Sequence, residues 1–208
     1  MTAERTPAKS TDHFEADLGE LLDELSSESV SPAASSVAAT TVSLAAALTT
    51  KSARRSAGAM KSAAGAAAQG DSLRRRASAL VSANARAYER AAAALPTPSE
   101  AVATSAPEAS DQERDLEIRE ALTGTNDALL SLLEVACDVC LLAALIAEEG
   151  QSGARADAAA AALLAEASAR AVAHLIEISL LSGGIGREAG DVLATASAAT
   201  ASILGSGH

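Results

Sequence analysis

The stretch GQSGARADAAAAALLAEASARAVAHLIEISL, residues 150–180, joins a turn to a long alanine-rich segment. Gly150 and Gly153 flank polar residues at its start, a composition typical of a chain reversal. From residue 154 to about 182 apolar side chains recur at helical spacing, which predicts a helix. Those side chains are Leu163, Leu164, Ala167, Ala171, Leu175 and Ile178. Asp157 lies in the first turn of this helix, where a carboxylate is favoured by the helix dipole.

Helical patterns of the same kind cover most of the chain on both sides of this segment, and no stretch carries the signal of a strand. Residues 96–110 (PTPSEAVATSAPEAS) are predicted to form a linker or surface loop, and residues 123–126 (TGTN) to break a helix. The predicted helices span 12–25, 33–50, 71–95, 110–122, 127–149 and 154–182, with a short last one ending near Leu204. The sequence therefore predicts an all-α fold, an up-and-down bundle of about six to seven helices.

Two local signals fix where predicted helices begin. Ser31 is a candidate N-cap with Pro32 at the first helical position, and Ser110 with Glu113 has the spacing of a capping box. The third helix has Asp71 or Ser72 as its candidate cap, after a basic region loosened by glycines. We expect residues 1–11 to be a disordered tail and residues 12–205 to form one helical domain.

The composition favours helices that approach closely. Apolar residues make up 49% of the chain but aromatic residues only 1%, and much of the apolar share is alanine. Because each alanine buries little area, an isolated copy would be only modestly stabilised, and oligomerisation is expected to compensate. The formal net charge of −11 argues against a nucleic-acid partner, which requires a basic face.

The most hydrophobic stretch, residues 129–147, is interpreted as a buried helix rather than a membrane span, because it contains Glu134 and Asp138. No N-terminal run has the order of a signal peptide, and a reducing cytoplasm suits two cysteines that suggest no disulfide scaffold. Cys137 and Cys140 form a CxxC inside a helix, without the strand that precedes a thioredoxin-like site or a second ligand pair for zinc. They are predicted to be buried packing residues.

Other polar groups have an ordinary and a functional interpretation. Glu134 and Asp138 share one helix face, which either reaches solvent or holds an acid–base group. The three histidines are scattered and predict no catalytic arrangement. Lys51, Arg54, Arg55 and Lys61 form a basic patch that either binds an anion or neutralises a helix C-terminus.

The order of these segments resembles the cyclodeaminase/cyclohydrolase family, which includes the cyclodeaminase part of formiminotransferase-cyclodeaminase and methenyltetrahydrofolate cyclohydrolases. The resemblance covers about residues 13–182. The family's P-G-G-G-S-V-A-A segment is matched by PAASSVAA, its basic stretch by KSARR, and its D-x-x-A-F…L-P pattern by NARAYERAAAALP. Its G-N-x-N-A-x-S-D-A-x-x-A-A-x-L-A-E-A motif is matched by GQSGARADAAAAALLAEA, and its N-V-x-I-N-L segment by LIEISL.

This chain departs from the family at several of these positions. Alanine or serine replaces the three glycines, at Ala33, Ala34 and Ser35, and Asn84 replaces the acid of the D-x-x-A-F pattern. The family's later asparagines are replaced at Gln151, Gly153, Leu175 and Ser179, whereas Asp157 is retained. Added Cβ atoms at 33 and 34 take space from a flat ligand, but Ser35 and Ser36 keep donors at a helix N-terminus.

The resemblance implies a homodimeric enzyme that opens the ring of 5,10-methenyltetrahydrofolate, or forms it from the formimino derivative with loss of ammonia. Asp157 would accept or orient the proton, and Pro32, Ala33, Ala34, Ser35 and Ser36 would hold the pterin. Lys51, Arg54 and Arg55 would attract the glutamate tail, and Asn84 would contact substrate. No metal or redox cofactor is implied. The alternative is a dimeric helical binding or interaction module that has lost its catalytic site.

Overall fold

In a computed structural model, residues 18–29, 33–94, 108–178 and 185–205 are described, and all of their regular structure is helical. The α-helices are α1 Leu18–Leu25, α2 Ala34–Arg55, α3 Ala63–Ala94, α4 Glu108–Glu149, α5 Arg155–Ile178 and α6 Ile185–Gly205. A 3₁₀ turn, Ser152–Ala154, precedes α5. The all-α prediction is confirmed. Residues 1–11, the predicted tail, lie outside the described part, as do Ser31 and Pro32. Helix α4 begins at Glu108, so Ser110 lies within its first turn rather than at its predicted cap.

Helices α2 to α5 form an up-and-down bundle, and α6 packs against α4 and α5. Each of α2 and α4 contacts both α3 and α5, so the four helices close into a ring. Pairs of contacts show that neighbouring helices run antiparallel. Helix α2 meets α3 at Ser43–Ser78 and Arg54–Asp71, and α3 meets α4 at Arg76–Asp138 and Ala87–Thr125, so residue numbers rise along one helix as they fall along the other. The second half of α4 is central, as its apolar sequence predicts, with Leu132, Val139 and Ile146 fully buried.

The predicted start of the third helix is wrong. Helix α3 begins at Ala63 and includes Gly65 and Gly70, so Asp71 is an interior residue rather than a cap. Gly70 is needed for close packing, because a Cβ there would collide with the Thr50 hydroxyl and lie 3.3 Å from the Thr50 Cα. A glycine that looks like a helix breaker in sequence is therefore a point of close approach between α2 and α3.

The predicted break at residues 123–126 is also wrong, since α4 runs through it without interruption. A glycine in a helix costs about 1 kcal/mol relative to alanine, which neighbouring packing easily outweighs. Here Asn126 is buried, and the Thr125 hydroxyl donates to the Ala87 carbonyl of α3 at 3.3 Å. The predicted helices 110–122 and 127–149 are consequently one helix.

Two described segments, Thr123–Glu149 and Ser152–Ile178, are long and apolar enough to cross a membrane by length and composition alone. The first is the buried centre of the bundle. The second includes α5, which has one buried face and one exposed apolar face.

Candidate functional site

The start of α2 holds the segment predicted to contact a pterin. Ala33 occupies the N-cap position with an extended backbone, and α2 begins at Ala34, one or two residues later than Ser31 and Pro32 predict. Alanine supplies no capping side chain there, and no side-chain cap hydrogen bond forms. Ser35 and Ser36 point into the protein and are 7% and 1% exposed.

Three polar side chains near this end of the bundle are buried with one atom lacking a hydrogen-bond partner among the described residues. These atoms are Ser36 Oγ, Asn84 Oδ1 and Asn126 Oδ1. Leaving such an atom unpaired costs about 1–3 kcal/mol, so each is a conspicuous exception in a folded chain. The Asn84 amide nitrogen, by contrast, donates to the Leu80 carbonyl at 2.8 Å.

Helix register places these three residues at one level of the bundle. Ser43 of α2 meets Ser78 of α3, with their hydroxyl oxygens 2.9 Å apart. Because the helices are antiparallel, moving seven residues along each brings Ser36 to the level of Ala85, next to Asn84. The bond from Thr125 to Ala87 puts Asn126 within a turn of the same level. We call this set, Ser36, Asn84 and Asn126, the polar layer.

A second cluster lies where α2 ends and α5 begins. Asp157 Oδ2 is 2.9 Å from Lys51 Nζ and 3.3 Å from Arg55 Nη1, and its side chain is 29% exposed. The hydrogen bond from Lys51, with the charges of Lys51 and Arg55, holds the pKa of Asp157 below its ordinary value. Arg54 pairs instead with Asp71, at 2.6 Å. All three predicted tail-binding cations therefore already have carboxylate partners within the chain.

The lowered pKa of Asp157 has a consequence for acid stability. Because folding lowers this pKa, the carboxylate stabilises the protein above its unfolded pKa of about 3.9, and that contribution disappears as the pH falls through the folded value. We expect Asp157→Asn to lower the free energy of unfolding at pH 7 but to leave it nearly unchanged at pH 2. Urea denaturation at both pH values measures this, with the exposed Asp127→Asn as control. An equal loss at both pH values would contradict the ion-pair explanation.

The structure does not bring all predicted site residues together within one chain. Ser36 and Lys51 are both on α2, fifteen positions apart, which corresponds to about 22 Å along the helix axis. Ala33, Ala34, Ser35, Ser36 and Asn84 lie near the polar layer, whereas Lys51, Arg54, Arg55 and Asp157 lie near the opposite end of α2. A ligand bound at one of these ends would have to span about 22 Å to reach the other.

The sequence profile of the formiminotransferase-cyclodeaminase family matches residues 17–182. The chain belongs to that family. Its fold is similar to the crystal structure of formiminotetrahydrofolate cyclodeaminase from Thermotoga maritima, with a TM-score of 0.68 and 18% identity over 92% of this chain and 91% of the other. No curated protein gives a significant match. The predicted family and fold are therefore confirmed for this formiminotransferase-cyclodeaminase family member.

Other candidate groups in this family member have structural roles. Cys137 and Cys140 are buried free thiols, as predicted, and burial raises the pKa of Cys140 to about 12. Glu134 is exposed, and Asp138 pairs with Arg76 at 3.4 Å across the surface, so this carboxylate face reaches solvent. Among the described residues, no group of three or more His, Cys, Asp or Glu side chains could hold a metal ion.

Sequence reasoning missed two residues of interest. Asn126 was assigned to a predicted turn, so its burial was not foreseen. Glu166 matches the glutamate of the family's L-A-E-A segment and is only 13% exposed. Burial acts to raise the pKa of Glu166, but hydrogen bonds from Arg170, Ser197 and Thr200 hold it below its ordinary value. The bonds from Ser197 and Thr200 join α5 to α6, which indicates a structural role.

Proposed function

We propose that this protein binds a tetrahydrofolate one-carbon derivative at the polar layer and catalyses the cyclohydrolase or cyclodeaminase type of reaction. The observation that carries the proposal is the unpaired polar layer in a member of this family. Asn84 and Asn126 offer buried amide oxygens, and Ser36 offers a hydroxyl. The amino and ring N–H groups of a pterin are donors that such acceptors would satisfy, so ligand binding would remove a desolvation cost that the free protein carries.

Of the two reactions, hydrolysis of the methenyl bridge requires fewer catalytic groups from these residues. The bridge carbon of 5,10-methenyltetrahydrofolate is a cationic electrophile, so water adds to it, one C–N bond breaks, and a formyl derivative and a proton are released. In the cyclodeaminase direction, the anilino nitrogen of the p-aminobenzoyl group attacks the formimino carbon held on the pterin ring nitrogen, and ammonia leaves, which requires a proton donor as well. Asn84 and Ser36 can orient water or substrate, but an amide cannot take up the released proton at neutral pH.

The proposal needs no metal or redox cofactor and places the protein in the cytoplasm as a homodimer. A second candidate function is a binding module that has lost catalysis. It is favoured by Asn84 in place of the family's acid and by Asp157, which in one chain lies about 22 Å along α2 from Ser36. Both candidates require the polar layer to bind ligand, and only the first requires turnover.

The test combines ligand affinity with turnover. We expect isothermal titration of the parent chain with 5,10-methenyltetrahydrofolate to show saturable binding, and decay of the methenyl chromophore to exceed the uncatalysed rate. Ala33→Gly together with Ala34→Gly should tighten binding, because it removes two Cβ atoms beside the layer. Gly is tolerated at the N-cap, so the helix should lose about 1 kcal/mol at most, from position 34.

The outcomes separate the two candidates. Binding with no decay above the uncatalysed rate would support the non-catalytic module. Absence of binding in both the parent and the double variant would reject both candidates. A matched control is Ala64→Gly, an exposed position in the first turn of α3, far from the polar layer. It should change ligand affinity by less than twofold.

A further inference from the structure

Tyr88 of α3 lies on the inward side of its helix but is not buried. Helical spacing places it on one stripe with Ala77, Val81 and Asn84, all of which are buried. Tyr88 follows Asn84 by four residues, about one turn, and is 41% exposed. Because its stripe faces the interior, this exposure means that the packed interior ends at the level of Tyr88, just beyond the polar layer.

The neighbouring helices also reach solvent at this level. The register between α2 and α3 brings Ala33, the N-cap residue of α2, to the level of Tyr88, and Ala33 is partly exposed. On α4, Thr123 lies three residues before Asn126 on the same side of the helix and is exposed. The polar layer therefore lies only about one helix turn, roughly 5 Å, below side chains that reach solvent on three of the helices.

We propose that the ring of Tyr88 contacts the bound folate and selects its 5,10-methenyl form. The pterin enters from this end of the bundle with its amino and N–H edge toward the polar layer. Its other end, which carries the cationic methenyl bridge, then lies about one turn higher, at the level of Tyr88. The face of an aromatic ring attracts a cation and stacks on a flat heterocycle. The inference rests on the proposed function and adds a residue that recognises the one-carbon group.

The composition of this end of the bundle suits such a contact. Tyr88 is the only aromatic residue in the described part of the chain. Its charged neighbours Arg86, Glu89 and Arg90 lie by spacing on the outer sides of α3 and are exposed. Small-molecule sites combine a few polar groups that fix orientation with apolar or aromatic walls. The polar layer supplies the polar groups, and Tyr88 supplies an aromatic wall above them.

Calorimetry with two ligands tests this role. 5,10-Methenyltetrahydrofolate and 5-formyltetrahydrofolate share the pterin donors, but only the first carries a cationic bridge. We expect Tyr88→Leu to weaken binding of the methenyl compound about tenfold and of the formyl compound by less than about threefold. Tyr88→Phe keeps the ring and should stay within about twofold for both. Leu204→Ala is the matched control, since Leu204 is another exposed large side chain and lies on α6.

The outcomes separate this inference from the proposed function. If the parent binds the methenyl compound and Tyr88→Leu binds it equally well, or loses affinity equally for both ligands, the inference is overturned and the proposed function stands. If the parent binds neither compound, the proposed function is rejected and the inference with it. Circular dichroism of each variant checks that helix content is unchanged, and Tyr88→Phe keeps the test decisive if the leucine variant is less stable.

Tyrosine emission provides a second test on the parent chain itself. The chain has one tyrosine and no tryptophan, so this emission reports on Tyr88 alone. In the free protein the exposed ring should be quenched by acrylamide. Saturating 5,10-methenyltetrahydrofolate, read in stopped flow before the compound decays, is expected to lower the Stern–Volmer slope about threefold, because a bound ligand covers the ring. An unchanged slope in a saturated chain would place the ligand away from Tyr88 and overturn the inference.

Discussion

Gly150→Ala is expected to lower the free energy of unfolding by about 3 kcal/mol, the upper range for forcing an atom into a packed site. Gly150 follows α4 directly and lies against Ser56, the residue that ends α2. A Cβ at position 150 would collide with the Ile146 carbonyl oxygen and lie 2.5 Å from Ser56 Oγ and 3.2 Å from Ser56 Cβ. Relief requires moving backbone or the Ser56 side chain, which also accepts a hydrogen bond from the Gln151 N–H at 3.1 Å.

Urea denaturation of the two chains measures this effect, and Gly153→Ala is a close control. A Cβ at position 153 would meet only Arg55 Nη2, at 3.7 Å, an ordinary contact with the end of a flexible side chain. That variant should change the free energy of unfolding by less than about 0.5 kcal/mol. Equal losses in both variants would show that the turn is sensitive to any added side chain and would contradict a specific collision at Gly150.

The sequence predicted those features of the fold that depend on local patterns of residues. It did not predict features that depend on contacts between helices distant in sequence. The central position of α4 was predicted well from its apolar sequence. For α5 the helix was predicted but the larger apolar side chains do not mark its buried face: Leu163, Leu164 and Ile178 are exposed, and the buried face is mostly alanine. Gly70 and Gly124 misled, because packing of the surrounding helix outweighs the cost of a single glycine. Gly70 is instead the place where Thr50 of the neighbouring helix approaches, and the residues after Gly124 contact α3. Contacts between helices distant in sequence decide both cases, and no local pattern contains them.

The sequence named candidate site residues but did not predict how these residues are arranged in space. Family motifs identified Ser36, Asn84 and Asp157 without indicating that α2, as a single 22-residue helix, separates the first two from the third. The partners of Asp157 were also hidden, since Lys51 and Arg55 had been assigned to a ligand rather than to a carboxylate of this chain. Asn126 could have been recognised as a buried residue only if the TGTN segment had been predicted as helix. The helical spacing from the apolar residues that follow would then have placed Asn126 on the buried face.

Asn84→Asp is expected to raise the rate of methenyltetrahydrofolate hydrolysis by about 10²-fold, the lower range for adding a positioned acid–base group. It places a carboxyl of nearly the same shape at the position where the family has its acid. Burial favours the neutral form of a carboxyl at this site, where Asn84 is 2% exposed, and its O–H can replace the amide donor to Leu80. Such a group can exchange a proton near neutral pH, which an amide cannot.

Asn126→Asp distinguishes a specific gain from a general effect of added charge. Asn126 is 1% exposed and also has an unpaired Oδ1, so the substitution has a similar desolvation cost in the same polar layer. Position 126 does not match the family's acid, however, and we expect no increase in rate there. The measurement is decay of the methenyl chromophore at saturating ligand, with binding of both variants confirmed by calorimetry. If Asn84→Asp binds ligand without a faster decay, residue 84 does not control the proton, and the result supports the non-catalytic candidate.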